Sequence, residues 1–270
     1  MSDAPTSEAS PRSKAPIALE DAASSSSHDA HAQDSGHPRG AVPALSIALV
    51  VATCGLVYEL LAGTVASWVL GDTVGQFAVV IGLYLGAMGI GSYLSGRVRD
   101  EIATRFVLVE VVLAVVGGLS VPLLFMVFER VALFRAALYG SVLVIGALVG
   151  MEIPLLLRVL GERESFRSAV ARVLAFDHLG SLLGSIAFAF VLAPTVGALR
   201  TGLLIGALNA VAAFASTWAL EPVRGAKTLR AISVAIVCAL VALALYAPAL
   251  ERSVDSAATH PSMTRASLSR

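Results

Sequence analysis

Residues 43–70 read PALSIALVVATCGLVYELLAGTVASWVL, an apolar run whose one charged side chain is Glu59. About 20 predominantly apolar residues suffice to cross the hydrocarbon core of a bilayer as a helix, so this run predicts a transmembrane span. Reading outward, six further runs have the same character, at 77–97, 104–128, 132–157, 173–193, 199–220 and 229–249. Between them lie turn and charge signals: Gly71-Asp72, Arg97 to Arg105, Glu129-Arg130, Gly161 to Arg172, Pro194 to Arg200 and Glu221 to Arg230. Composition agrees, with 57% hydrophobic and 14% charged residues and a mean hydropathy of +0.82. Soluble domains run about 45–50% apolar and about 25% charged. The expected fold is an all-α, polytopic transmembrane helix bundle of about seven spans at 43–250. A polar, disordered tail is expected at 1–42 and a short polar tail at 251–270.

Nineteen basic and nineteen acidic side chains cancel, so no general positive field is available to hold nucleic acid. The N-terminal tail contains Ser24 to Ser27 and three histidines, His28, His31 and His37. Metal binding there lacks the Cys or second ligand cluster that such sites use, which leaves a solvated tail. Cys54 and Cys238 both lie in apolar runs, offering neither a disulfide framework nor a CxxC metal site. No cofactor or metal is expected. Soluble-enzyme signatures (HExxH, Gly-x-Ser-x-Gly, a Walker loop, CxxCH) do not occur in the sequence.

Lysine and arginine are retained on the cytoplasmic side of membrane spans. One face collects Arg39, Arg97, Arg99, Arg105, Arg158, Arg163, Arg167, Arg172, Arg224, Lys227 and Arg230, against Arg130, Arg135, Arg200 and Arg252 on the other. This places the N-terminus in the cytoplasm, makes the protein a multi-pass component of the cell inner membrane, and with seven spans leaves the C-terminus outside. Small residues at four-residue spacing let helices approach closely. Gly82 and Gly86 in the second span, and Gly146 and Gly150 in the fourth, are therefore expected to pack helices.

Ionisable groups inside apolar spans are costly and mark function by default. The candidates are Glu59, Glu110, Glu152, Asp177 and His178, with Gln76, Tyr84 and Asn209 as uncharged companions. At 1.5 Å per residue, Glu110, Glu152 and Asp177 fall in one layer toward the cytoplasmic face, with Glu59 nearer the middle. Two readings stay open. Each carboxylate pairs with Arg105, Arg158 or Arg172 and holds the bundle together, or the layer forms an anionic pocket for cations, amines or protons. Pro154 is expected to break its helix and free a carbonyl for that pocket, and the Asp177-His178 pair to share a proton.

Several motifs at these positions carry a resemblance. They are Cys54-Gly55-Leu56-Val57-Tyr58-Glu59-Leu60-Leu61-Ala62-Gly63-Thr64, Leu70-Gly71-Asp72, Gln76-Phe77 with Ile81-Gly82-Leu83-Tyr84-Leu85, and Arg105-Phe106-Val107 with Glu110. Gly150-Met151-Glu152-Ile153-Pro154-Leu155-Leu156 and Phe176-Asp177-His178-Leu179-Gly180 complete the set. Residues 45–249 resemble the N-terminal membrane domain of membrane-bound spermidine synthase-like proteins, the polyamine aminopropyltransferases. His178 stands where an aromatic residue is usual in that family.

The resemblance implies a following soluble α/β domain that binds decarboxylated S-adenosylmethionine and an amine such as putrescine through a glycine-rich loop and acidic residues. Residues 251–270 hold no strand–Gly-x-Gly–helix unit, so this chain is expected not to transfer an aminopropyl group by itself. Gly91-Ser92-Tyr93-Leu94-Ser95-Gly96-Arg97 also looks like part of a major-facilitator half. Partners expected from these readings are the lipid bilayer, a soluble aminopropyltransferase or a homologous chain, and a polyamine, with no nucleic acid. The functional expectation is a membrane module that anchors or serves a synthase. An independent cation, amine or other small-molecule transporter and a purely structural membrane protein are the alternatives.

Overall fold

A computed structural model describes residues 41–161, 165–220 and 222–266. The expected tail at 1–42, with His28, His31 and His37, lies almost wholly outside the described residues. Within them every regular element is helical: α1 (Ala41–Leu70), α2 (Thr73–Ser95), α3 (Ile102–Val127), α4 (Val131–Gly161), α5 (Phe166–Ala187, continued by π-helical turns Phe188–Val196), α6 (Ala198–Ala219) and α7 (Ala226–Ala266). Seven of these segments are long and apolar enough to cross a membrane. A helix satisfies its backbone polar groups internally, which is what an apolar surrounding demands.

The breaks are local chemistry. Between α1 and α2 the chain turns through Gly71 (φ 72°) and Asp72 (φ 46°), both left-handed. The Asp72 carboxylate then accepts a hydrogen bond from the Gly75 N–H at 3.3 Å, capping α2 in the usual way of Asp at a helix start. Gly197, at φ 82°, separates α5 from α6.

Four helices are central and three peripheral. About half or more of the apolar windows of α1, α3, α4 and α6 is buried, against 22% for α2, 17% for α5 and 22% for α7. The outward faces are apolar, with Leu85, Ile90, Phe125, Leu183, Phe190 and Leu245 exposed, and apolar surface of this extent marks a face that contacts protein or membrane.

Glycines set the closest helix contacts. On α4, Gly146 and Gly150 lie against the α2 backbone: a methyl group on Gly146 would fall 2.8 Å from the Tyr84 carbonyl oxygen, and one on Gly150 would overlap Met88. Gly91 of α2 lies in the same way against Ala147. Gly82 and Gly86 have no atoms of the chain beside them and sit on the exposed face of α2. The expectation that they pack helices within this chain is corrected: the buried face of α2 carries Val80, Tyr84, Ala87, Gly91 and Ser95, on the side of the helix opposite theirs. Two further pairs use glycine likewise, Gly180 and Gly184 of α5 against Leu49 and Thr53 of α1, and Gly206 of α6 against Gly118 of α3. Thr53 reinforces the first of these, its hydroxyl donating to the Gly180 carbonyl at 2.9 Å.

Pro154 does not break α4, which runs unbroken from Val131 to Gly161. Proline removes only its own N–H, leaving the Gly150 carbonyl without its helical donor, and packing against α2 holds the rest of the helix. At its far end α7 continues beyond 249 to Ala266, so the segment expected as a polar tail has helical backbone to that point.

Two contacts tie helix ends together at the basic end of the bundle. Arg158 of α4 donates to the Ser95 carbonyl of α2 at 3.1 Å. Arg224, in the turn before α7, pairs with Glu101 before α3 at 2.6 Å and donates its backbone N–H to Thr104 at 2.9 Å. Glu101 holds the exposed Arg224 guanidinium above its ordinary pKa through their hydrogen bond and charge attraction. At the opposite end Tyr139 of α4 donates to Gln76 of α2 at 3.3 Å.

Candidate functional site

The two largest apolar clusters of the interior include Tyr58, Leu113, Val142 and Ile205 in one, and Ala48, Phe106, Leu155 and Ala212 in the other. Between them, in sequence and along the helices, come Glu110 of α3, Glu152 of α4 and Asn209 of α6. Glu110 and Asn209 are fully buried and Glu152 is 4% exposed. The Asn209 amide nitrogen donates at 2.9 Å both to the Glu110 carboxylate, at Oε2, and to the Glu110 backbone carbonyl. Both groups face inward because α3 and α6 close on each other at Gly118 and Gly206, just over two turns from Glu110 and one turn from Asn209.

The Glu110 and Glu152 carboxyl groups are within hydrogen-bonding reach of each other. Such a contact is attractive only with a proton between them, since two bare carboxylates repel. Neither Glu110 Oε1 nor Glu152 Oε1 receives an N–H or O–H from any described residue, and Asn209 Oδ1 and the Tyr58 hydroxyl are likewise buried without a hydrogen-bond partner. Ion pairs from Arg105, Arg158 or Arg172 to these two carboxyls, one of the expectations from sequence, are not formed among the described residues. Those arginines lie at the basic end, and Arg158 spends its guanidinium on Ser95.

Asp177 of α5 is apart from the buried pair and nearer the surface, its side chain 26% exposed. It faces Glu152 across a void of about 10 Å³ whose apolar wall includes Val51, Phe106, Leu156 and Val173. Asp177 is close enough for its charge to act on Glu152. His178 turns outward with its side chain 79% exposed. Its Nδ1 lies 2.7 Å from the Leu174 carbonyl, one turn back on the same helix, and 3.7 Å from Asp177 Oδ2. Glu59 of α1 is half-buried and makes no hydrogen bond to a described residue. Of the five residues singled out from sequence, three thus converge on one region, Glu110, Glu152 and, across the void, Asp177. His178 and Glu59 stand outside it.

Sequence reasoning passed over Cys54 and Tyr58. They lie one turn apart on the buried face of α1, near enough to Glu110 and Glu152 to sense their charge. Their four-residue spacing beside Glu59 was the available signal, since it puts both on the face that Glu59 does not share. Tyr84, a named companion, bridges α2 to α1 by donating to the Gly55 carbonyl at 2.9 Å. A larger groove of about 590 Å³ lies between α1 and α6, lined by apolar residues such as Pro43, Ile47, Phe214 and Trp218. It contains no acid or base and no candidate chemistry.

Comparison with known proteins adds the following. The chain is 45% identical over 195 residues to a polyamine aminopropyltransferase of Leptospira interrogans, covering 72% of this chain and 39% of that protein. It is 50% identical over 172 residues to polyamine aminopropyltransferase 2 of Ralstonia nicotianae, covering 63% and 34%. With a polyamine aminopropyltransferase of Mycobacterium tuberculosis it shares 35% over 226 residues, covering 78% and 42%. No family model matches the chain, and no solved structure does. The chain spans about two-fifths or less of the length of these relatives. Over most of its own length, then, it is a homologue of one part of proteins named polyamine aminopropyltransferase.

Proposed function

We propose that the seven helices are the integral membrane module of a spermidine synthase-like, polyamine aminopropyltransferase system, seated in the cytoplasmic membrane with the basic end inward. The module anchors a soluble synthase at that face. The observation that supports this reading is similarity at 35–50% identity to polyamine aminopropyltransferases, confined to roughly a third to two-fifths of their length. Apolar outward faces and a basic end fit the placement.

The test is affinity capture of the tagged full chain from detergent-solubilised membranes. Spermidine formation from putrescine and decarboxylated S-adenosylmethionine is then assayed in the eluate. Activity that co-elutes with the chain is the expected result. A chain recovered from membranes without any such activity refutes the anchoring role.

A second reading, binding or transport of a polyamine by the acidic layer, is favoured by Asp177 standing part-exposed in front of Glu152. A void of about 10 Å³ admits roughly one water molecule, so an amine chain needs the helices to part. Uptake of labelled spermidine into proteoliposomes, abolished in Glu152→Gln and Asp177→Asn, would favour transport over anchoring.

A further inference from the structure

Near the bundle centre α1 and α6 touch, the Cys54 sulfur lying 3.9 Å from the Ile205 carbonyl oxygen. Toward the basic end they leave between them the groove of about 590 Å³, within the size range of pockets that hold small molecules. Ile47 and Val50 of α1 and Leu208, Val211, Phe214 and Trp218 of α6 form its walls. The hydroxyl in its lining, that of Ser46, donates to the Val42 carbonyl of its own helix at 3.0 Å, so the walls offer a guest apolar contact alone. From Leu208 to Ala219 the α6 wall runs about 16 Å at 1.5 Å per residue, close to half the hydrocarbon thickness of a bilayer. The mouth differs in kind. Trp218 stands there, and the Arg230 guanidinium of α7 stacks on its ring at 3.5 Å, held by hydrogen bonds to the Thr217 hydroxyl and carbonyl at 2.7 and 3.0 Å. Lys227, exposed, lies one turn nearer the start of α7 on the same side of that helix. Tryptophan beside basic residues is the pattern of a membrane–water interface.

We propose that this groove binds an acyl chain of an anionic phospholipid from the leaflet at the basic end, with the lipid phosphate at Arg230 and Lys227. Charge complementarity selects the headgroup: the mouth is positive, and basic pockets between transmembrane helices recognise anionic lipid headgroups. The walls select the chain. They are apolar along a path one leaflet long, which suits a hydrocarbon tail and excludes a polyamine, whose ammonium groups would find no partner there. A second copy of the chain fits less well, because membrane helices close on one another through small residues, and this rim presents exposed Leu208, Val211 and Trp218. The site rests on the membrane placement proposed above, stands apart from the acidic centre, and operates with or without an attached synthase.

The chain has two tryptophans, Trp68 and Trp218, and their fluorescence provides the test. Trp68 is exposed near the far end of α1. Trp68→Phe therefore leaves Trp218 to report on the groove, and Trp218→Phe leaves Trp68 to report on bulk lipid. Each full-length variant is reconstituted at low salt in phosphatidylcholine vesicles that contain phosphatidylglycerol or phosphatidylcholine brominated in the acyl chains, bromine being a contact quencher of indole. Half-quenching of Trp218 is expected at about a tenth of the mole fraction for the brominated phosphatidylglycerol, as two basic residues at a membrane surface imply. Trp68 should show no preference. Lys227→Gln, a change at an exposed position, should raise the phosphatidylglycerol fraction needed about fivefold, the weight of one such residue. Equal quenching of Trp218 by the two lipids overturns the proposal, and so does a preference that Lys227→Gln leaves unchanged. Quenching of Trp68 without Trp218 overturns it too and gives the groove to protein, a second copy or another segment of the chain. Absence of quenching at both tryptophans would overturn the membrane placement, and this site with it.

Discussion

Asn209 is the one residue without a carboxyl group among the three that meet at the bundle centre, and its amide nitrogen serves two oxygens of Glu110 at once. Removing it leaves a buried carboxylate oxygen without its donor, a greater loss than that of an average hydrogen bond. Asn209→Ala should therefore destabilise the protein by about 1–2 kcal/mol, the range for polar contacts between membrane helices, measured by unfolding in mixed micelles. Asn209→Asp, which exchanges the donor for a third carboxylate, should be worse. A fall no larger than that of an exposed control such as Val79→Ala would show that the amide contributes nothing. His178 is the contrasting case. Its side chain points out of the bundle, and His178→Phe should leave stability unchanged within about 0.5 kcal/mol.

At the scale of elements, the contrast is between two sets of glycines. Gly150 meets the backbone of Met88, whereas Gly86 meets nothing. Gly150→Leu should cost about 1–3 kcal/mol or more, because backbone cannot move aside as a flexible side chain does. Gly86→Leu should stay within about 0.5 kcal/mol. The same unfolding measurement compares them, and a reversed order would mean that α2 is rotated about its axis from the position described.

That rotation is also where the sequence stopped being legible. Seven apolar runs and their breaks could be read directly, because span length and hydropathy are properties of a segment alone. Glu110 and Glu152 could be read as interior groups, because a carboxylate has no stable place facing lipid. Helices apolar all round carry no stripe to show which side faces a neighbour, so Gly82 and Gly86 could not be told from Gly91. Nor could the outward turn of His178 be told from the inward turn of Asp177, its neighbour. Pro154 misled for a different reason: the rule that proline breaks helices describes water, where a freed carbonyl is readily solvated, and α4 is held by its contacts with α2.

For the whole molecule, the arrangement of charge makes a prediction about placement. Arg97, Arg99, Arg105, Arg158, Arg167, Arg172, Arg224, Lys227 and Arg230 belong to helix ends or turns at one end of the bundle, and contacts such as Arg224 with Glu101 and Arg158 with Ser95 join those ends. Arg99→Cys and Arg130→Cys, each made in a chain with Cys54 and Cys238 replaced by alanine, lie at opposite ends. An impermeant thiol reagent applied to intact cells should label the cysteine at 130 and spare that at 99. The opposite pattern would invert the proposed topology and move the synthase-anchoring face to the wrong side of the membrane.

The pairs in which a glycine meets the backbone of a neighbouring helix join α1 to α5, α2 to α4 and α3 to α6. None of the first three helices finds its closest companion among the other two. A ribosome that has produced α1, α2 and α3 has therefore made three segments whose backbone-to-backbone contacts do not yet exist. Each must wait for a later segment to arrive, and lipid or an insertion factor must occupy the vacant faces in the meantime. Assembly of this bundle is accordingly a matter of timing, with the second half of the chain acting as the template on which the first half settles.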